Sequence, residues 1–74
     1  MSMAATFKLD KTLAEHGISQ TQFAKDSRLS FATINRICTN ATAQVSLKTL
    51  DRIMKAFFKR NIKATLSDIV EWKP

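Results

Sequence analysis

Between Ser30 and Thr39 the chain reads Ser-Phe-Ala-Thr-Ile-Asn-Arg-Ile-Cys-Thr, hydrogen-bonding side chains interleaved with two isoleucines. Setting Ile34 inward on a helical wheel of about 100° per residue puts Ile37, Cys38 and Ala41 inward as well. Ala32, Arg36 and Thr39 then fall within roughly 40° of the opposite pole, Asn35 and Thr33 flank that stripe, and Phe31 lies nearer the buried side. An arginine so placed can donate a fork of hydrogen bonds to the major-groove edge of guanine, touch a phosphate, or stand free in solvent. Asn35 has the donor and acceptor to read adenine or to hold a phosphate, and Ala32 leaves room for a thymine methyl. Phe31 either packs beside Ile34 or touches such methyls, with packing the expectation.

Other reactive residue types lack partners. His16 ends a helical stretch, where a cation suits the negative helix end, and no cluster makes it a catalyst or a ligand. One Cys and one His cannot build a disulfide framework or a tetrahedral zinc site. Cys38 reads as a small core residue, and Asp68 and Glu71 as stabilisers of a helix start. No phosphate-cradling glycine loop, nucleophile elbow or metal motif occurs, so the chain reads as non-enzymatic with no cofactor.

These residues sit in 74 positions, one domain with a small core. Twelve Lys and Arg against six Asp and Glu give a charge of +6, which favours an anionic partner such as nucleic acid or an acidic surface. No apolar run is long enough for a bilayer, and the first residues lack the basic-then-apolar pattern of a secretion signal. A lone cysteine fits a reducing cytosol, so a cytoplasmic location is expected.

Only one Gly and one Pro occur, with Pro74 last, which predicts an all-α fold. Residues 1–6 read as a loose, flexible N-terminus, and residues 7–74 as the domain. Leu9 and Leu13 mark a first helix from Phe7 to His16, closed by Gly17. Ser19 caps a second, short helix ending near Ser27 with Phe23 and Ala24 inward, and Leu29 plugs the turn. Ser30 caps the third helix, with Asn40 closing it. After a polar loop, Ser46 caps a fourth helix whose inner face is Leu47, Leu50, Ile53, Met54, Phe57 and Phe58. Its outer face carries Lys48, Asp51, Arg52, Lys55 and Lys59. Thr65 or Ser67 starts a fifth helix with Leu66, Ile69 and Val70 inside and Trp72 at its end.

The few residues between helices two and three suit two short helices crossing steeply, a helix-turn-helix, with Ala24 small at the close approach. Ile18 to Ala24 and Leu29 to Ile37 together resemble the Cro and phage-repressor family of lambda-repressor-like (XRE) helix-turn-helix domains. Ser46 to Ile53 is similar to that family's fourth helix and Leu66 to Trp72 to its closing helix, so the likeness spans roughly residues 7 to 72. The resemblance implies a compact five-helix bundle that regulates transcription by inserting its third helix into the major groove of double-stranded DNA. It also implies a homodimer on a palindromic operator and repression as the usual outcome. It places Gln20 on a phosphate at the start of helix two, against a solvated first-turn residue as the simpler reading. Lys48 has the same logic, and Ser30, Phe31, Ala32, Thr33, Asn35, Arg36 and Thr39 complete the expected DNA-binding set.

Arg28 stands where the family commonly has Gly, and Thr39-Asn40 follows helix three where Gly is common. Left-handed backbone costs a non-Gly residue about 1–2 kcal/mol, which predicts a tighter or differently shaped turn at Arg28. Asn tolerates that backbone better. Two other classes fit the composition. One is a protein-interaction module on the same fold, such as an antirepressor or antitoxin subunit, which needs no base-reading stripe. The other is a cationic helix lying on anionic membrane through Arg52, Lys55, Lys59, Arg60 and Lys63, disfavoured because the core needs the apolar face of helix four.

Overall fold

The computed structural model describes residues 4–42 and 44–73. Strand β1 (Ala4–Phe7) leads into α1 (Leu9–Glu15), α2 (Gln20–Ser27), α3 (Phe31–Cys38) and α4 (Leu47–Lys59). A single 3-10 turn (Leu66–Asp68) and strand β2 (Val70–Lys73) finish the chain. Three helices start as their sequences dictate: the Ser19, Ser30 and Ser46 side chains each accept from the backbone N–H three residues on, at 3.1 Å. Gly17 turns the chain after α1 at φ 66°.

The core holds Leu9 and Leu13 of α1, Phe23 and Ala24 of α2, Ile34, Ile37 and Cys38 of α3, and Ile53, Ala56 and Phe57 of α4, with Ile18 and Ile69 closing it. The Phe23 and Phe57 rings lie 4.8 Å apart at 40°, at the junction of α2 and α4. An ion pair pins the far ends of the same helices, with Arg60 Nε donating to Asp26 Oδ2 at 2.6 Å. None of the helices among the described residues is long and apolar enough to cross a membrane.

Three expectations change. The fold has four α-helices and a two-stranded sheet rather than five helices. Residues 4–6, read as part of a loose end, pair antiparallel with the C-terminal segment, in the register Ala4↔Lys73, Ala5↔Trp72, Thr6↔Glu71 and Phe7↔Val70. Met1 to Met3 lie outside the described residues. Phe7 accordingly belongs to β1, and the first helix begins at Leu9.

The physical reason is competition for backbone hydrogen bonds. Lys8 N–H donates to the Ile69 carbonyl at 2.6 Å and the Thr12 hydroxyl to the Asp68 carbonyl at 2.6 Å, so α1 captures acceptors a fifth helix would have used internally. The Asp68 carboxylate accepts from Thr65 N–H at 2.8 Å, which starts the turn that these contacts then stop. Of the side chains read as internal there, Ile69 is buried and Val70 half-buried, but Leu66 is exposed, as is Trp72 at the end of the segment.

The inner face of α4 is also narrower than its pattern. Ile53 and Phe57 are buried, Leu50 and Met54 half-buried, and Leu47 and Phe58 are 84% and 80% exposed. Ala56 is buried instead, on a helix that packs against α2.

Phe57→Ala is expected to cost about 3–5 kcal/mol, a large part of what a chain of this size has, and to show as a lowered urea midpoint at unchanged slope. A second expectation concerns acid. Partial burial pushes the Asp26 carboxyl up, but the Arg60 and Gln22 hydrogen bonds and the Arg60 and Lys59 charges outweigh it and hold the group below its usual value. A carboxyl lowered in the fold stabilises above its unfolded value of about 3.9 and loses that contribution as pH falls through the folded value. Asp26→Asn should therefore lower the urea midpoint near neutrality, and the gap from the unsubstituted protein should close on acidification through that window.

Candidate nucleic-acid interface

Helix α3 is only eight residues long, so its direction comes from what holds it. Ile34 and Ile37 are fully buried beneath it and Cys38 nearly so. Burial first, and then the Asp10 charge, pushes the Cys38 thiol up to about 11, so it sits there as a neutral apolar group. Opposite these, Ala32, Arg36 and Thr39 are all exposed and form an outward ridge, with Thr33 and Asn35 half-buried on its flanks. The wheel fails at Ala41, expected inward but exposed. The helix ends at Cys38 and Asn40 takes φ 57°, so the wheel no longer applies beyond it. Phe31 is half exposed at the leading end, less packed than its wheel position implies.

The polar side chains on this surface differ in what they have left to offer. Ser30 is occupied as the cap and shares a further 2.8 Å hydrogen bond with the Thr33 hydroxyl. The Thr39 hydroxyl donates back to the Asn35 carbonyl at 2.8 Å. Asn35 Nδ2 donates to Gln20 Oε1 at 3.1 Å, tying the first turn of α2 to the middle of α3. That bond uses one donor and one acceptor, leaving the Gln20 amide protons and the Asn35 carbonyl oxygen for an outside group. Arg36 makes no side-chain hydrogen bond or ion pair among the described residues. It lines a groove of about 170 Å³ with Thr33, Ile37, Thr42, Gln44, Val45, Ser46 and Thr49, between α3 and the start of α4. Lys48 is exposed one residue into α4.

Several of the residues expected to act together are brought together in pairs. Gln20 and Asn35 are in contact, Ser30 and Thr33 are in contact, Arg36 neighbours the Ser46 cap, and Lys48 stands just beyond it. No acidic residue occurs between Asp26 and Asp51, so this stretch contributes Arg28, Arg36 and Lys48 with no carboxylate of its own. That gap in the acidic residues is a sequence signal that composition totals conceal.

The turn before α3 keeps the backbone a glycine would give it. Arg28 itself adopts φ 59° and ψ 31°, the left-handed backbone a glycine would take, and α2 and α3 pack against each other across the turn. The chain belongs to the family of Cro/C1-type helix-turn-helix DNA-binding domains. The family model covers residues 8–74, nearly the whole chain. No curated protein and no solved structure matches it. A helical DNA-binding fold and a DNA-binding regulator follow from that membership.

One supporting residue escaped sequence reasoning. Asn40 closes α3 as its type suggests, but its amide also mimics a strand partner: Phe7 N–H donates to Asn40 Oδ1 at 2.6 Å and Asn40 Nδ2 to the Phe7 carbonyl at 3.2 Å. The trailing end of α3 is thereby fastened to β1, across a separation of 33 residues that no local pattern reveals. Asn40→Gly keeps the positive φ and deletes both bonds. The expected result is a loss of about 1–2 kcal/mol with α3 still helical, and faster amide exchange at Phe7 than in the unsubstituted domain.

Proposed function

We propose that this protein is a cytoplasmic, sequence-specific double-stranded DNA-binding repressor that inserts α3 into the major groove of a palindromic operator as a homodimer. The observation that carries the reading is the exposed Ala32–Arg36–Thr39 ridge standing over the buried Ile34 and Ile37, on a helix fixed at both ends. Arg36 has its whole fork available and is assigned the bidentate contact to guanine. Ala32 and Phe31 lie against thymine methyls, and Ser30, Thr33, Asn35 and Thr39 supply the remaining polar contacts to base edges and backbone. Gln20 and Lys48, at the starts of α2 and α4, hold phosphates on either side, where free amides and the positive helix ends add to the attraction.

Scale and membership support the homodimer. One such module reads a single half-site, and two related by a two-fold axis read two half-sites about 34–36 Å apart. Salt dependence is then steep, since each phosphate neutralised contributes about 0.9 to the slope of log affinity against log salt.

Selection of bound duplexes from a random pool, followed by titration, tests the proposal. A single preferred palindrome is expected. Arg36→Ala should lose about 1–3 kcal/mol of discrimination at one base pair per half-site, with circular dichroism unchanged. Equal affinity for all duplexes would reject sequence-specific regulation, and an unchanged preference in the variant would remove Arg36 from the base-reading set.

A further inference from the structure

Arg28 combines a costly backbone with a side chain that the fold itself does not use. At φ 59° it occupies the region that L-residues avoid, a backbone that the close of α2 imposes at this position. Its exposed guanidinium shares a groove of about 260 Å³ with Arg52, Lys55 and Lys59 of α4, the remaining wall being Asp26 and Ser27. The only carboxylate in that lining is already engaged: Asp26 Oδ2 accepts from Arg60 at 2.6 Å and Oδ1 from Gln22 Nε2 at 3.0 Å. Lys55 meets Asp51 at 2.9 Å in an exposed pair that contributes little. Arg28 and Arg52 have neither hydrogen bond nor ion pair among the described residues. Gathering cations around one groove without matching anions works against the compact state, and a polyanion offsets that repulsion.

The groove is built from the same α4 and the same turn before α3 that bound the surface described above. Lys48, Arg52, Lys55 and Lys59 recur at helical spacing, within a stripe about 60° wide and about 16 Å long on α4. One end of the stripe begins beside the Ser46–Thr49 groove that Arg36 lines, and Arg28 precedes the Ser30 cap of α3 by two residues. A line of cations of that length matches a duplex backbone, with one phosphate per about 3.4 Å on each strand, better than it matches a small anion. We propose that the Arg28–Arg52–Lys55–Lys59 groove is a second DNA contact, a clamp on the phosphodiester backbone that acts independently of base sequence. It rests on the reading of the protein as a DNA binder and adds a site that the α3 ridge does not include.

Arg28→Gly separates contact from structure because it relieves the backbone while deleting the charge. The clamp predicts a melting temperature higher by about 4 °C together with binding to a short random-sequence duplex about five- to tenfold weaker at 0.1 M salt. The log–log salt slope should fall by about one in this variant and by about two in Arg52→Gln/Lys59→Gln, with the preferred operator unchanged. Arg28→Lys should retain most of the affinity. Unchanged affinity and slope in both neutral variants would overturn the clamp. So would polyglutamate binding the unsubstituted protein more tightly than duplex and losing affinity in Arg28→Gly, which would make the groove a site for an acidic protein segment. If the groove variants change nothing while Arg36→Ala relaxes operator preference, the clamp alone fails. If the unsubstituted protein binds no duplex, the functional reading fails with it.

Discussion

Everything on the exposed surface depends on a helix too short to be stable by itself. Eight residues fall below the length at which an isolated helix persists in water, so α3 exists and points outward only because the rest of the molecule holds it. Ile34 and Ile37 are fully buried on the face of α3 that packs against α1 and α2, and each such side chain contributes about 1.5–3 kcal/mol by leaving water. Ser30 satisfies amides at one end, and Asn40 fastens the other to β1. The Gln20–Asn35 hydrogen bond ties the middle of α3 to the first turn of α2. A rigid reading surface is thus assembled from three separate attachments rather than from helix propensity.

The small sheet serves the same constraint from a distance. By pairing β1 with β2 it joins the two termini of the described chain, and through Phe7 it supplies the backbone groups that Asn40 grips. Lys8 and Thr12 extend the seam to Ile69 and Asp68. A domain of this size buries little of its surface, so closing the termini by hydrogen bonds compensates for a fifth helix that never forms.

Charge is distributed as unevenly as burial. Carboxylates are absent from Ser27 to Leu50 and present on α1, at the end of α2, on α4 and near the C-terminus; Asp26 pairs with Arg60 and Asp51 with Lys55. Arg36 and Lys48 are left unpaired among the described residues, and the groove between the α2–α3 turn and α4 gathers further cations. Family membership accounts for a DNA-binding surface on such a molecule, and the local pairing explains which of its cations remain available for a partner.

Local chemistry alone determined much of this. The serine caps at positions 19, 30 and 46, the glycine stop at 17 and the 3.6-residue spacing of Ile34, Ile37, Ile53 and Phe57 specify four helices, because caps and periodicity act over one or two turns. The outward stripe of α3 was legible for the same reason. What only the tertiary structure decided were choices between distant partners. Residues 66–72 have helical spacing, yet their backbone pairs with β1 and α1. Leu47 and Phe58 fit the apolar face of α4, yet none of the described residues covers them. Asn40 and Phe7, and Gln20 and Asn35, meet across 33 and 15 residues. Such pairings depend on where whole elements come to rest, and a pattern confined to a few neighbouring residues carries no information about that.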